Sequence, residues 1–191
     1  MTFKPCSTYA LTGALGCLIA SGFVSTTLAD FDGATIGGEW YAPDLGTLIE
    51  EFEAVVDPNI PEYFYKIPGH PFDGYFINFA GSSVLFGFST TDFETYAWNE
   101  EEFNGWIFTD VDGSLDGFQS VSLGATSGTA NYANIEIGVL NEDQFFVNFG
   151  TLGEDQLLYN GDYVSFDVTF VPAPMGAIAL LGLGCARRRR R

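Results

Sequence analysis

Positive charge is almost absent from the body of this chain. Between Asp30 and Val171 the only cation besides the single His70 is Lys66, set against 25 Asp and Glu, a balance of −24. A surface of that sign repels phosphate, which excludes nucleic acid as a partner, and it repels anionic lipid headgroups as well. Such self-repulsion keeps a chain soluble while straining its compact state. Histidine is as scarce. His70 lies in Pro68-Gly69-His70-Pro71 with no motif around it. A zinc site built on histidine therefore lacks ligands, and no Gly-x-Ser-x-Gly element places a serine for a hydrolytic triad. No Gly-rich phosphate loop of Walker or Rossmann spacing occurs in the sequence. Cysteine is confined to the two ends, as Cys6, Cys17 and Cys185. The body thus has no disulfide and no thiol nucleophile.

Aromatic residues are abundant by contrast: 16% of the chain, with 19 Phe, in a sequence 47% hydrophobic. That composition excludes a disordered chain. Residues 30–171 are also long enough to bury a substantial core without staples.

Both ends read as targeting segments. Lys4 gives a positive start, Ala10 to Phe23 is mostly apolar, and Thr27-Leu28-Ala29 places small residues before Asp30. This is the pattern of a secretory signal peptide over residues 1–29, cleaved after Ala29 by the export machinery. A retained anchor helix, or a lipoprotein using Cys17, are the other readings of the same segment. At the far end, Val171-Pro172-Ala173-Pro174 leads into the apolar run Met175 to Ala186, followed by Arg187, Arg188, Arg189, Arg190 and Arg191. The prolines break a preceding strand, the apolar run partitions into lipid, and the arginines stop translocation on the cytoplasmic side. Twelve residues fall short of the roughly 17–25 that a span needs, so the anchor is short and suited to a transient hold.

In that order, the proline motif, short apolar helix and arginine cluster resemble a PEP-CTERM sorting signal. Pro172 and Pro174 match the two prolines of the motif, and Ala173 stands where it has glutamate. The resemblance implies recognition and removal of the tail by an exosortase-type membrane enzyme, in a bacterium that exports the protein. A plain tail anchor with a stop-transfer cluster is the alternative. The segment from Phe103 to Val168, through Phe103-Asn104-Gly105, Phe108-Thr109-Asp110 and its later alternating strands, also resembles the β-rich body of exported bacterial proteins with such tails, and brings no known activity.

Within residues 30–171 the dominant pattern is alternation from about residue 62 onward. Tyr75, Ile77 and Phe79 share a face. So do Val84, Phe86 and Phe88; Ile135, Ile137 and Val139; Phe145, Val147 and Phe149; and Val164, Phe166, Val168 and Phe170. Trp106 with Phe108, and Val121 with Leu123, mark further strands. Turn signals separate them at Asp73-Gly74, Gly81-Ser82-Ser83, Asn104-Gly105, Asp112-Gly113, Asn141-Glu142-Asp143 and Asn160-Gly161. The spacing predicts an all-β fold, a single antiparallel β-sandwich of jelly-roll-like form, flanked by the signal helix and the short C-terminal apolar helix. One segment is ambiguous: Leu45, Leu48, Ile49, Phe52 and Val56 follow Pro43-Asp44 at helical spacing and predict at most one short helix, while Phe52 to Val56 also suits a strand.

Candidate chemistry is sparse. Asp110, Asp112, Ser114 and Asp116 place oxygens at alternate positions of a Gly-containing loop, as a hard cation such as calcium requires. The loop is no EF-hand, since Val121 stands where the bidentate glutamate would be; an acidic hairpin turn is the plain alternative. Glu50-Glu51-Glu53 and Glu100-Glu101-Glu102 read as solvated surface. A pair of such acids could serve a small glycosidase. Trp40, Tyr41, Tyr63, Tyr65, Tyr96, Trp98 and Trp106 could stack on sugars, and Trp98, beside Asn99 and the glutamates, is the one expected to face water; the rest suit a core. The sequence reads as a non-enzymatic exported protein of the bacterial envelope or extracellular matrix, held at the membrane and then at the cell surface or outside. A secreted carbohydrate-binding module, calcium-dependent or not, with extracellular polysaccharide as partner, is the second reading. A small glycosidase is the third.

Overall fold

The computed structural model describes residues 30–66, 74–89, 98–128, 130–153 and 156–171. The expected signal segment with Ala29, the sorting tail from Pro172 to Arg191, His70 and Tyr96 lie outside the described residues.

Ten strands and one short 3-10 turn form the described part: β1 (Thr35–Tyr41), β2 (Leu48–Val55), β3 (Tyr63–Lys66), β4 (Gly74–Ala80), β5 (Ser83–Ser89), β6 (Gly105–Asp110), β7 (Phe118–Thr126), the turn Tyr132–Asn134, β8 (Glu136–Asn141), β9 (Gln144–Asn148) and β10 (Tyr163–Phe170). They make two five-stranded sheets, ordered β2-β1-β6-β9-β8 and β3-β4-β5-β10-β7. Every ladder is antiparallel. The antiparallel sandwich expected from the alternation is therefore found. Its wiring has its own order. β1 is flanked by β2 and β6, so β10, in the other sheet, is not its neighbour as the last strand of a simple jelly roll would be.

Period-2 alternation works here because each sheet has one dry face. Tyr75, Ile77, Phe79, Val84, Phe86, Val164, Phe166 and Val168 point inward from one sheet, and Ile36, Trp106, Phe108, Phe145 and Val147 from the other; all are buried. Phe170 is half-buried and packs on the same core. Aromatic edges and faces interdigitate across the gap: Phe79 meets Phe108 edge-on at 5.3 Å, and Phe86 meets Phe149 at 4.9 Å. The Trp106 indole N–H donates to the Tyr75 hydroxyl at 3.1 Å, tying the sheets through a satisfied polar pair. Phe31, just ahead of β1, plugs one end of the core against Phe79 and Phe170.

Two expectations need correction. The segment Leu48–Val55 is a strand and not a helix. Its helical spacing is overridden by pairing with β1, in which Phe52 lies opposite Gly38, and Phe52 stacks on Tyr63 at 5.0 Å. Leu45, Leu48 and Ile49, the other members of the supposed apolar stripe, are exposed. Asn104-Gly105 is no turn either: Gly105 opens β6 because the backbone of Val147 on β9 runs too close for a side chain, an added Cβ lying 2.0 Å from the Val147 carbonyl oxygen.

Three glycines inside strands share one device. Gly38, Gly87 and Gly138 each lie directly opposite a phenylalanine, namely Phe52, Phe76 and Phe146. The ring reaches across the glycine, so that an added Cβ would come within 2.2, 2.2 and 2.9 Å of it respectively. The aromatic covers backbone that the glycine leaves bare.

Candidate functional site

The outer face of the first sheet carries two depressions among the described residues. The register explains them. Glu51 on β2 is opposite Glu39 on β1, Glu39 opposite Ile107 on β6, Ile107 opposite Phe146 on β9, and Phe146 opposite Gly138 on β8. One row thus crosses the sheet from carboxylates to apolar surface. At the apolar end is a groove of about 310 Å³ lined by Leu45, Phe103, Ile107, Leu140 and Phe146, with Glu102 and Glu136 beside them. At the acidic end is a trough of about 550 Å³ holding Glu39, Glu51 and Glu53 with Thr109 and Gln144.

Each part is held in place. The Phe146 ring rests across Gly138 and lies 6.2 Å from the Phe103 ring. The side-chain amide of buried Asn148 donates to Glu136 Oε2 at 3.1 Å, and Asn148 Oδ1 accepts from the amides of Asn104 and Gly150. The Tyr41 hydroxyl donates to Glu39 Oε2 at 2.9 Å, and burial together with that carboxylate pushes the Tyr41 pKa up, which keeps it a donor. Gln144 is pinned to Thr109 through a 3.0 Å bond. The surface therefore offers Glu39 and Glu136 held by hydrogen bonds, and exposed Glu51, Glu53 and Glu102, around an apolar floor.

The Asp110 loop is built differently. Both Asp110 oxygens accept amides of their own loop, from Gly113 at 3.1 Å and Leu115 at 3.0 Å. Asp112 accepts from Ser114 at 3.1 Å and, across the fold, from the Thr35 amide that opens β1 at 3.2 Å. The nearby Ser114 side chain, then Thr35 and the Ser114 amide, lower the Asp112 carboxyl to about 2. Burial, then the neighbouring Asp112, raises Asp110. Asp116 is half-buried at the far end of the loop. The four residues do share one turn, and Asp110 and Asp112 are spent on shaping it. Among the described residues no group of three or more His, Cys, Asp or Glu side chains is placed to hold a metal ion.

Trp98 does not face water. It is 2% exposed and stacks flat on Phe149 at 4.3 Å and 8°. The polar neighbours of Trp98 misled because they lie in a connecting segment rather than a strand, where alternation carries no information about facing. Trp40 and Trp106 belong to the core, as expected, and Tyr65 packs edge-on against Trp40 at 5.1 Å. Glu50 accepts the Tyr63 hydroxyl at 2.6 Å, and Glu51 and Glu53 are exposed, as are Glu100 and Glu102. The row that joins Glu39, Ile107 and Phe146 is not revealed by alternation on a single buried face. Its signal is the pair of runs Trp106-Ile107-Phe108 and Phe145-Phe146-Val147, which are apolar on both faces of a strand where one face would suffice. The chain matches no family model, and no curated protein or solved structure is significantly similar to it.

Proposed function

We propose that this is an exported, non-enzymatic protein of the bacterial envelope or extracellular matrix, delivered by a cleaved signal over residues 1–29 and sorted by its PEP-CTERM-like tail over residues 172–191. The observation that carries this reading is the order of the tail itself: Pro172-Ala173-Pro174, the apolar run Met175 to Ala186, and Arg187 to Arg191. An exosortase-type enzyme is its proposed processing partner. The strongly acidic, aromatic-cored sandwich suits a protein that must stay dispersed outside the cell. The mass of the mature protein and the cell fraction holding it test the proposal. Cleavage near Ala29 and Pro172 is expected. Removing Arg187 to Arg191 weakens membrane retention of the precursor, while Pro172→Ala/Pro174→Ala leaves an uncleaved, membrane-held form. A wild-type protein that always keeps its tail sinks the sorting reading and leaves a plain anchor.

The second reading, a carbohydrate-binding module, is favoured by one observation: the apolar groove at Phe146 with carboxylates at its rim. Calcium at Asp110, Asp112, Ser114 and Asp116 belongs to the same proposal. Its support is the alternate spacing of the oxygens and an Asp112 that stays ionised down to about pH 2.

A further inference from the structure

We propose that the outer face of the first sheet binds a linear cationic glycan, an oligomer of unacetylated amino sugars, with one sugar ring on Phe146 and its ammonium groups on the carboxylates that flank the groove. The proposal rests on the carbohydrate-binding reading and names the ligand class.

The chemistry of the surface selects the ligand. The charged groups lining both depressions are Glu39, Glu51, Glu53, Glu102 and Glu136, with no cation among the described lining residues. Ionised carboxylates only accept hydrogen bonds. A ligand must therefore supply donors, and uronates, phosphates and sulfated chains are disfavoured because their negative charge is repelled by these carboxylates. The floor of Phe103, Ile107, Leu140 and Phe146 asks for an apolar face. A pyranose offers such a C–H face, with its polar groups at the edge. Glu39 directly opposite Glu51 is a like-charge pair on one face, an arrangement that destabilises a sheet. An ammonium between them removes that repulsion, and the −24 balance of residues 30–171 draws cations to the surface from a distance.

The geometry favours a glycan over a basic peptide. Extended peptides bind sheets at edges, through unpaired backbone groups. The floor at Ile107 and Phe146 lies over β6 and β9, which have neighbours on both sides, and only the rim at Glu136 and Leu140 belongs to the edge strand β8, so recognition over the floor runs through side chains. Phe146 and Glu39 stand two strands apart, about 10 Å, a span that one disaccharide covers.

The test is titration calorimetry on the full chain with a β-linked glucosamine tetramer, its N-acetylated counterpart, a uronate oligomer and pentalysine, with thermal unfolding confirming that each variant is folded. The glucosamine tetramer is expected to bind, the uronate not at all. Glu39→Gln/Glu136→Gln weakens binding about a hundredfold, roughly tenfold for each charge-assisted hydrogen bond lost. Leu140→Lys, at a side chain 50% exposed and so free to change, abolishes it. Phe64→Ser, on the other sheet, leaves it intact. Equal binding of the N-acetylated tetramer, with the same loss in Leu140→Lys, overturns the cationic assignment and leaves the carbohydrate-binding reading standing. No binding of any sugar sinks both. Pentalysine binding as tightly as the glucosamine tetramer, or variants that bind like wild type, shows only a diffuse polyanion and overturns the site.

Discussion

At the scale of single residues, Asp110 and Asp112 show how two neighbouring carboxyls acquire opposite tendencies. Asp110 is buried at the end of β6, and desolvation works against its charge although two amides cap it. Asp112 is at the surface, gathers the Ser114 and Thr35 groups, and is lowered to about 2. The sign for stability follows from linkage. The unfolded Asp112 titrates near 3.9, so its contribution is complete above that value and is lost as the pH falls through about 2. Asp110 works the other way, since protonation relieves a buried charge. In urea unfolding at a series of pH values, Asp112→Asn is expected to lose less stability than wild type between about pH 4 and pH 2. Parallel losses would show that the folded protein does not favour the Asp112 anion. The residue pattern was legible as oxygens on alternate positions of a loop. What sequence could not show is that amides, including Thr35 from another strand, already occupy those oxygens.

At the scale of strands, alternation recovered the pairs that bury one face, from Tyr75 through Val168, because a single slip would turn every such residue to water. It failed at β1 and β2 for a physical reason. Gly37 and Gly38 weaken the strand signal of β1, and β2 keeps exposed Leu48 and Ile49 beside inward-leaning Phe52. The missing information is cross-strand: Gly38 is small because Phe52 lies over it. The same pairing recurs at Gly87 with Phe76 in the other sheet and at Gly138 with Phe146, and the Phe146 ring lines the candidate groove. Gly87→Ala is expected to destabilise by about 1–3 kcal/mol through overpacking, since its Cβ would sit 2.2 Å from the Phe76 ring. In a Phe76→Ala background the same change costs little. Chemical denaturation of the four proteins completes the cycle, and additive effects would show that ring and glycine are independent.

At the scale of the whole molecule, the balance of −24 over residues 30–171 sets both solubility and strain. The core counters this with aromatic packing across two sheets, and the repulsion is left on the surface, where cations can relieve it in two distinguishable ways. Sodium chloride screens every exposed pair once the Debye length falls to about 10 Å near 0.1 M, and raises the thermal midpoint of wild type and loop variants alike. Calcium, if the Asp110 loop holds it as proposed, would add a specific term, roughly 2.7 kcal/mol at a hundredfold excess over its dissociation constant. Thermal unfolding at fixed ionic strength, with millimolar calcium against chelator, separates the two. Wild type is expected to shift upward with calcium, and Asp110→Asn/Asp112→Asn to lose that shift while keeping its response to sodium chloride. The double variant also loses two of the loop's acceptors, so its baseline midpoint falls and only the calcium-dependent difference is diagnostic. Equal differences in both proteins, or none in either, would leave residues 110–117 as an acidic turn that closes on its own amides.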